Sequence, residues 1–233
     1  AKADLAGPKS TSGAIDAFVR HARAVAPVHG TGTGRLILAL DATMSRQPTW
    51  DLACKLQAEM FDAVGKAGSL NVQLVYFRGF NECQASRWVG DPDALARLMR
   101  QVSCQGGHTQ IRKVLTHARS ETQKTKVNAV VYVGDCMEEN IDDLSQLAGE
   151  LGLIGVPVFL FQEGREPGAE RAFKEIARLS RGAHCRFDAG SSAQLRELLT
   201  AVAVYASGGR KALQNLSNET RSGAAVRLLE QLG

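Results

Sequence analysis

Cysteines are few and unpaired in this sequence of 233 residues. The five of them are odd in number and form no C-x-x-C pair: Cys54, Cys83, Cys104, Cys136 and Cys185. This pattern argues against a disulfide framework or a zinc ribbon, and it predicts reduced thiols in a cytoplasmic protein. Cys104 and Cys136 lie beside polar loops. A redox role is one interpretation of these two, and a small buried hydrophobe is the simpler one.

Long apolar runs and clustered charge are also lacking. No apolar run approaches the roughly 20 residues that span a bilayer, and the first residues, AKADLAGPKSTSG, lack the apolar core of a signal peptide. The formal net charge is +4, and the basic residues are scattered along the chain. We therefore expect no membrane span and no nucleic-acid partner. The composition, 44% hydrophobic and 22% charged, is typical of a globular domain.

The chain does contain a regular alternation of apolar runs and helical patterns. Runs at 36–40, 72–77, 127–133, 156–161 and 183–187 predict buried strands, and helices are predicted at 50–67, 91–102, 109–119, 140–152, 169–179 and 191–205. The more polar run 84–89 follows the preceding strand too closely for a crossover helix, so we assign it to an antiparallel edge strand. The prediction is a doubly wound α/β fold, in which a mostly parallel six-stranded sheet has one short antiparallel edge strand and helices on both faces.

Glycines divide the chain into three predicted parts. Residues 1–34 combine a helix at 15–25 with the glycine-spaced stretch HGTGTG, which precedes a strand and so fails the context of a dinucleotide-binding fingerprint. Residues 35–206 form the main domain. Gly208 and Gly209 then interrupt the chain before a helical extension, 207–233, whose last helix is predicted at 224–232.

Polar side chains collect at the carboxyl ends of the predicted strands. Asp41, Thr43 and Ser45 leave the first strand, Asp135 ends the strand 127–133, and Thr109 caps a crossover helix that must begin at the same edge. Ligands of open parallel sheets bind at this edge, where the strand order reverses. Two carboxylates and three hydroxyls predict a site for a hard divalent cation, Mg²⁺ first, with Mn²⁺ or Ca²⁺ as alternatives. Each residue alone has a simpler structural interpretation, so the hypothesis depends on their convergence.

Neighbouring residues have structural interpretations. His108 is a candidate extra ligand, but a loop histidine is more often solvent-facing or used in recognition. The acidic cluster Glu138, Glu139, Asp142 and Asp143 is expected to decorate the start of the helix at 140–152, where negative charge is favourable. Trp50 is expected to pack in the core or to border the site.

The sequence resembles a von Willebrand factor type A (VWA) domain over residues 35–205. The resemblance is carried by Asp41-Ala42-Thr43-Met44-Ser45, by Gly106-Gly107-His108-Thr109 and by Val130-Val131-Tyr132-Val133-Gly134-Asp135. These are similar to the three parts of that family's metal-ion-dependent adhesion site (MIDAS), whose first part is usually D-x-S-x-S. The resemblance implies that Ser45, Thr109 and the position of Thr43 contact the metal, while Asp41 and Asp135 hold coordinating waters. Thr43 replaces the usual serine and adds a methyl group.

The resemblance implies a cytosolic interaction module, not an enzyme, that binds a divalent cation and engages an acidic residue of a partner protein. An alternative is a Mg²⁺-dependent phosphoryl-transfer enzyme, since phosphatases of the haloacid-dehalogenase type also place an aspartate after the first strand. Those enzymes need a second acid where this chain has Thr43, and a lysine near a later strand end, where it has Gln162 and Glu163. A metal-free scaffold is the third hypothesis. The oligomeric state is left open.

Overall fold

The computed structural model describes residues 33–64, 68–220 and 222–232. The strands are β1 (Gly34–Asp41), β2 (Leu70–Arg78), β3 (Glu82–Val89), β4 (Ala129–Gly134), β5 (Val158–Glu163) and β6 (Ala183–Phe187). The helices are α1 (Gln47–Val64), α2 (Pro92–Arg100), α3 (Ile111–Lys124), α4 (Ile141–Leu153), α5 (Pro167–Ser180), α6 (Ser192–Thr220) and α7 (Gly223–Gln231), with a 3₁₀ turn at Met44–Arg46. The helix predicted at 15–25 lies outside the described residues.

One six-stranded sheet runs through the molecule in the order β3-β2-β1-β4-β5-β6. Every neighbouring pair is parallel except β2 and β3, which are antiparallel. The predicted fold class is therefore confirmed, including the antiparallel edge strand. Strand β1 pairs with β2 on one side and with β4 on the other. The strand order reverses there, so the carboxyl ends of β1 and β4 lie side by side.

Alternating residues of the strands build a separate core on each face of the sheet. Leu36, Leu38 and Leu40 of β1 point into a core covered by α1, α2, α6 and α7, whereas Ile37 and Ala39 point into a core covered by α3, α4 and α5. This division follows from the two-residue period of a strand. Helices on both faces were predicted, and both cores confirm them.

Several element ends differ from the apolar runs that predicted them. Strands β4 and β5 begin at Ala129 and Val158, later than the runs, because Val127 and Val156 are fully buried in the approach to each strand without belonging to it. Burial, rather than strand membership, explains why those two residues are apolar. Helix α1 begins at Gln47 rather than at Trp50, directly after the 3₁₀ turn.

Capping and chain-breaking residues act where the sequence predicted them for α2, α4 and α6. Asp91 accepts a hydrogen bond from the Ala94 amide (2.8 Å) and is followed by Pro92. Asn140 accepts one from the Asp142 amide (2.8 Å) at the start of α4. Gly209 has a φ of 66° and interrupts α6, which confirms the predicted break there.

The open edge of β6 is covered by the side chain of Gln231 from α7. Its amide oxygen accepts a hydrogen bond from the His184 backbone N–H (2.8 Å), and its nitrogen donates to the His184 carbonyl (3.0 Å). The His184 imidazole is 2.9 Å from Gln162 Oε1, and Gln162 Nε2 donates to the Glu166 carbonyl (2.9 Å). We call these side chains of Gln162, His184 and Gln231 the edge cluster. Within it, Gln231 pairs the backbone N–H and carbonyl of His184, which would otherwise lie free at the edge of the sheet.

Among the helices of the described residues, none combines the length and the apolar character that a membrane span requires.

Candidate metal centre

Three chain segments meet at the carboxyl ends of β1 and β4. Asp41 is the last residue of β1, and Asp135 directly follows β4. The loop that precedes α3 is tied to both neighbouring strand ends, because the Gln105 amide donates to the Ala42 carbonyl (3.0 Å) and the His108 amide donates to the Gly79 carbonyl (3.0 Å). The fold thus brings the Asp41 loop, the Thr109 loop and Asp135 to the same edge of the sheet.

Asp41 carries a buried carboxylate oxygen without a partner. The residue is 4% exposed, and its Oδ1 accepts a hydrogen bond from the Thr43 amide (2.7 Å). Its Oδ2 is buried and has no hydrogen-bond partner in the described structure. Burial raises the pKa of Asp41 to about 6, the hydrogen bonds with Thr43 oppose that rise, and the charge of Asp135 adds to it. A buried carboxylate oxygen without a partner is costly, and a water held by a bound cation would donate the missing hydrogen bond.

Thr43 and Ser45 differ in their exposure. Thr43 is 9% exposed and immediately precedes the 3₁₀ turn. Ser45 lies within that turn and is exposed, and its hydroxyl forms no hydrogen bond in the part of the chain that the structure describes. The turn therefore leaves one hydroxyl of the D-x-T-x-S segment nearly buried and the other open to solvent.

Thr109 does not cap α3, so the prediction that it would was wrong. The helix begins at Ile111, and the residue at the cap position is Gln110, whose side chain forms no cap hydrogen bond. Thr109 is 6% exposed and faces the β4–α4 loop instead. Its hydroxyl accepts a hydrogen bond from the Glu138 amide (3.1 Å), and its own amide donates to Glu138 Oε2 (3.0 Å). A hydroxyl oxygen has two lone pairs, so Thr109 can still offer one to a cation.

Glu138 and Glu139 serve α3 rather than α4. The Glu139 carboxylate accepts hydrogen bonds from the backbone amides of Ile111 and Arg112, the latter at 3.0 Å. The expectation that these two acids decorate the start of α4 was therefore wrong, whereas Asp142 and Asp143 do lie in its first turn. Negative charge at the N-terminus of α3 is favourable because of the free amides and the helix dipole. The carboxylates of Glu138 and Glu139 thus accept hydrogen bonds from backbone amides at and just before the start of α3.

Arg46 was missed by the sequence reasoning. The residue is 6% exposed, and its Nη1 lies 3.1 Å from Asp135 Oδ2. Nη2 donates to Thr49 Oγ1 (2.7 Å) and forms an ion pair with Glu163 at the end of β5, and Thr49 also donates to Glu163. One signal was available, namely a charged residue at the start of a helix whose following positions, Thr49 and Trp50, are core-facing.

An exposed rim borders the site. Phe80 in the turn between β2 and β3 is 81% exposed, and Met44 is 63% exposed. The ring of His108 lies 5.2 Å from that of Phe80, and its Nδ1 is 3.0 Å from Glu138 Oε1. Trp50 is not part of this rim, because it is 3% exposed and donates to the Met99 carbonyl (3.2 Å).

The cysteines near the site are held as thiols. Burial raises the pKa of Cys104 to about 11 and that of Cys136 to about 12, and the negative charges of Asp135 and Asp41 also raise the value for Cys136. Since the thiolate is the reactive form, the interpretation of both residues as small hydrophobes is favoured over a redox role.

The residues at this edge fit a hard divalent cation. The described residues contain no group of three or more His, Cys, Asp or Glu side chains placed to hold a metal, so hydroxyls and waters would have to complete the coordination. Mg²⁺ accepts such a set, since it prefers oxygen ligands and usually keeps several waters. The Oδ2 of Asp41, which has no hydrogen-bond partner among the described residues, is placed to accept a hydrogen bond from such a water.

The sheet order and the polar edge at the switch point define an open, doubly wound α/β domain. No protein-family model matches the sequence, and no curated protein does. Solved structures match the fold. An aerotolerance-related membrane protein from Bacteroides fragilis NCTC 9343 is 21% identical, with a TM-score of 0.54 over 70% of this chain and 96% of the other.

Two further solved structures carry the same fold. The SpRpn10 VWA domain is 12% identical, with a TM-score of 0.54 over 73% of this chain and 95% of the other. Proximal thread matrix protein 1 from the mussel byssus, solved with a zinc-occupied MIDAS motif, is 16% identical, with a TM-score of 0.57 over 74% of this chain and 45% of the other. The chain has the fold of a VWA domain, and the resemblance inferred from the sequence is confirmed at the level of fold.

Proposed function

We propose that this chain is a protein-interaction module that binds a divalent cation, Mg²⁺ first, and uses it to engage an acidic residue of a partner protein. The metal site comprises Asp41, Thr43, Ser45, Thr109 and Asp135. The observation that carries the proposal is the buried Oδ2 of Asp41, which lacks a partner. A VWA fold supports it, as does the zinc-occupied MIDAS motif of the mussel byssus protein. We assign the proposed module to residues 35–206 and propose a cytoplasmic location for it.

The chemistry of the donors explains how such a site attracts a carboxylate. Asp41 and Asp135 would hold coordinating waters, while the hydroxyls of Thr43, Ser45 and Thr109 would contact the ion. Hydroxyl ligands are neutral and offset little of the cation's charge. The remaining positive charge favours a carboxylate from a partner.

The exposed rim gives the partner a second kind of contact. Phe80 and Met44 present apolar surface beside the site, and His108 lies against Phe80. Aromatic side chains are frequent anchors of protein interfaces. The partner segment proposed here therefore combines an acidic residue with a neighbouring apolar side chain.

The phosphoryl-transfer alternative finds less support at the end of β5. Gln162 belongs to the edge cluster, and Glu163 is paired with Arg46 and Thr49. Neither is the lysine that such an enzyme uses, and Thr43 stands where its second acid is needed. The interaction module is accordingly the proposal, with the enzyme as the alternative outcome of the test.

Calorimetric titration with Mg²⁺ and Mn²⁺ tests the metal site. We expect saturable binding by the wild-type protein and none by Asp41→Ala. Asp51→Ala is the matched control and should bind as the wild type does, because the exposed side chain of Asp51 on α1 bonds, among the described residues, only to Gln47. A wild-type protein that binds neither ion overturns the proposal in favour of a metal-free scaffold.

A pull-down with the tagged chain, with and without chelator, tests the partner. A protein captured only with metal, lost with Asp41→Ala and weakened by Phe80→Ala, supports the module. Turnover of a generic phosphatase substrate that is lost in Asp41→Asn supports the enzyme instead.

A further inference from the structure

We propose that Arg46 determines the cation affinity of this site. It acts as an internal positive charge that lowers the affinity of the site for a divalent ion. This inference rests on the proposed function, because it concerns the same site. Arg46 is a positioning and specificity-determining residue in this proposal, not a metal ligand.

The geometry fixes the guanidinium between two acids that come from different strands. Nη1 contacts Asp135 Oδ2 (3.1 Å) after β4, and Nη2 is paired with Glu163 at the end of β5. Thr49 holds the same nitrogen at 2.7 Å from one turn into α1. A planar guanidinium can serve both acids at once, whereas the ammonium group of lysine acts as a point charge.

The charges at the site explain the effect on a cation. Asp41 and Asp135, the two acids assigned to the metal, are accompanied by one buried guanidinium that already contacts Asp135. A divalent ion must therefore share Asp135 with Arg46 and is repelled by its charge. Glu163 works in the opposite direction, since it draws Arg46 toward β5 and offsets its charge. Removing either group should shift metal affinity, but with opposite signs.

Stability alone does not account for this arrangement. Buried ion pairs are costly to desolvate, and well-packed apolar residues often replace them without loss. Here Arg46 and Glu163 are each under a tenth exposed, the charge of Arg46 acts on Asp41, and one carboxylate oxygen of Asp41 has no partner among the described residues. Charges in this position influence any ion that approaches Asp41.

A double-mutant cycle in the full chain tests the inference, with Mg²⁺ and Mn²⁺ dissociation constants measured by calorimetry. Arg46→Gln should tighten binding about tenfold, and Glu163→Gln should weaken it about tenfold. The double variant, which lacks both charges, should bind within about threefold of the wild type. Thr49→Val removes the hydrogen bonds of Thr49 with Arg46 and Glu163 but changes no charge, so it separates the loss of a contact from the loss of a charge. Thermal unfolding with chelator checks that each variant is folded.

A purely structural role predicts a different pattern. If Arg46→Gln, Glu163→Gln and the double variant all weaken binding, the inference is wrong while the metal site stands. If the wild type binds no ion but Arg46→Gln does, the metal site of the wild-type protein is wrong while the inference is supported. If neither the wild type nor Arg46→Gln binds an ion, the proposed metal site and the inference about Arg46 are both wrong.

The cycle remains decisive if Arg46→Gln alone does not fold. The double variant leaves no unpaired buried charge at this pair, and it differs from Glu163→Gln only by the loss of Arg46. It should bind metal about tenfold more tightly than Glu163→Gln does. Equal or weaker binding by the double variant contradicts the inference.

Discussion

Two groups of polar side chains lie on this sheet, and they differ in how completely their hydrogen bonds are formed. In the edge cluster, the amides of Gln162 and Gln231 and the imidazole of His184 bond to one another or to the backbone. At the candidate metal centre, Asp41 keeps one carboxylate oxygen without a partner. The edge cluster is neutral and complete, whereas the metal centre is charged and incomplete. The edge cluster is expected to stabilise the fold, whereas the oxygen without a partner at the candidate metal centre is what the proposed ligand site explains.

The two groups also differ in the cost of their burial. A neutral polar group with a hydrogen-bond partner is buried at little cost, but a buried carboxylate without one lowers stability. We therefore expect substitutions in the edge cluster to lower stability without affecting metal binding. Substitution of Asp41 by a neutral residue should weaken metal binding and raise stability in the absence of metal.

Asp41→Asn should produce the largest effect. It should lower affinity for Mg²⁺ by about 100-fold, because the negative charge beside the ion is lost. In chelator, the same variant should be more stable than the wild type by about 1 kcal/mol, since a neutral amide is cheaper to bury. Calorimetry measures the first change and urea unfolding the second. Asp51→Asn is the exposed control, and a less stable Asp41→Asn protein would show that Asp41 is structural.

Gln162→Leu should destabilise the protein by about 2 kcal/mol, because the His184 imidazole and the Glu166 carbonyl both lose their partner. Affinity for Mg²⁺ should stay within about twofold of the wild type. Gln146→Leu, on the exposed side of α4, is the control for the added apolar surface. Equal stability of the two variants would contradict the structural role assigned to the edge cluster.

The pH dependence of stability should show a smaller effect of the edge cluster. Burial lowers the pKa of His184 from 6.5 to about 4, so the unfolded chain binds its proton more readily than the folded one. The contribution of His184 is full above pH 6.5 and decreases as the pH falls toward 4. Urea unfolding at pH 7.5 and pH 5 should reveal a loss on the order of 1 kcal/mol from this residue.

Two histidine variants assign that loss. In His184→Gln, the free energy of unfolding should no longer show this loss between pH 7.5 and pH 5. The exposed His108→Gln should retain it. If His184→Gln keeps the full pH dependence, the buried imidazole is not its source.

The fold could be predicted from the sequence because its signals are local. A strand whose residues are all buried, such as β4, appears in the sequence as one apolar run. The short gap after β2 leaves room only for an antiparallel neighbour. The edge position of Asp41 and Asp135 follows from the same rules. The pairing of Arg46 with Glu163 could not be predicted, because these residues lie 117 positions apart and belong to different elements. The same reason hid the contacts of Glu139 with α3.

Gly79 and Gly107 connect the β2–β3 turn directly to the loop that carries Thr109. Their backbones form a bridge, and a Cβ atom on Gly107 would lie 2.1 Å from the Gly79 oxygen, so no side chain fits between the two segments. Gly79 precedes the exposed Phe80, and Gly107 lies two residues before Thr109. Force applied to the β2–β3 turn is thus transmitted directly to the loop that carries Thr109. Under the proposed function, we expect a partner that displaces Phe80 to shift the loop of Thr109 as well, which would couple docking to ion binding through the contact between the two glycines.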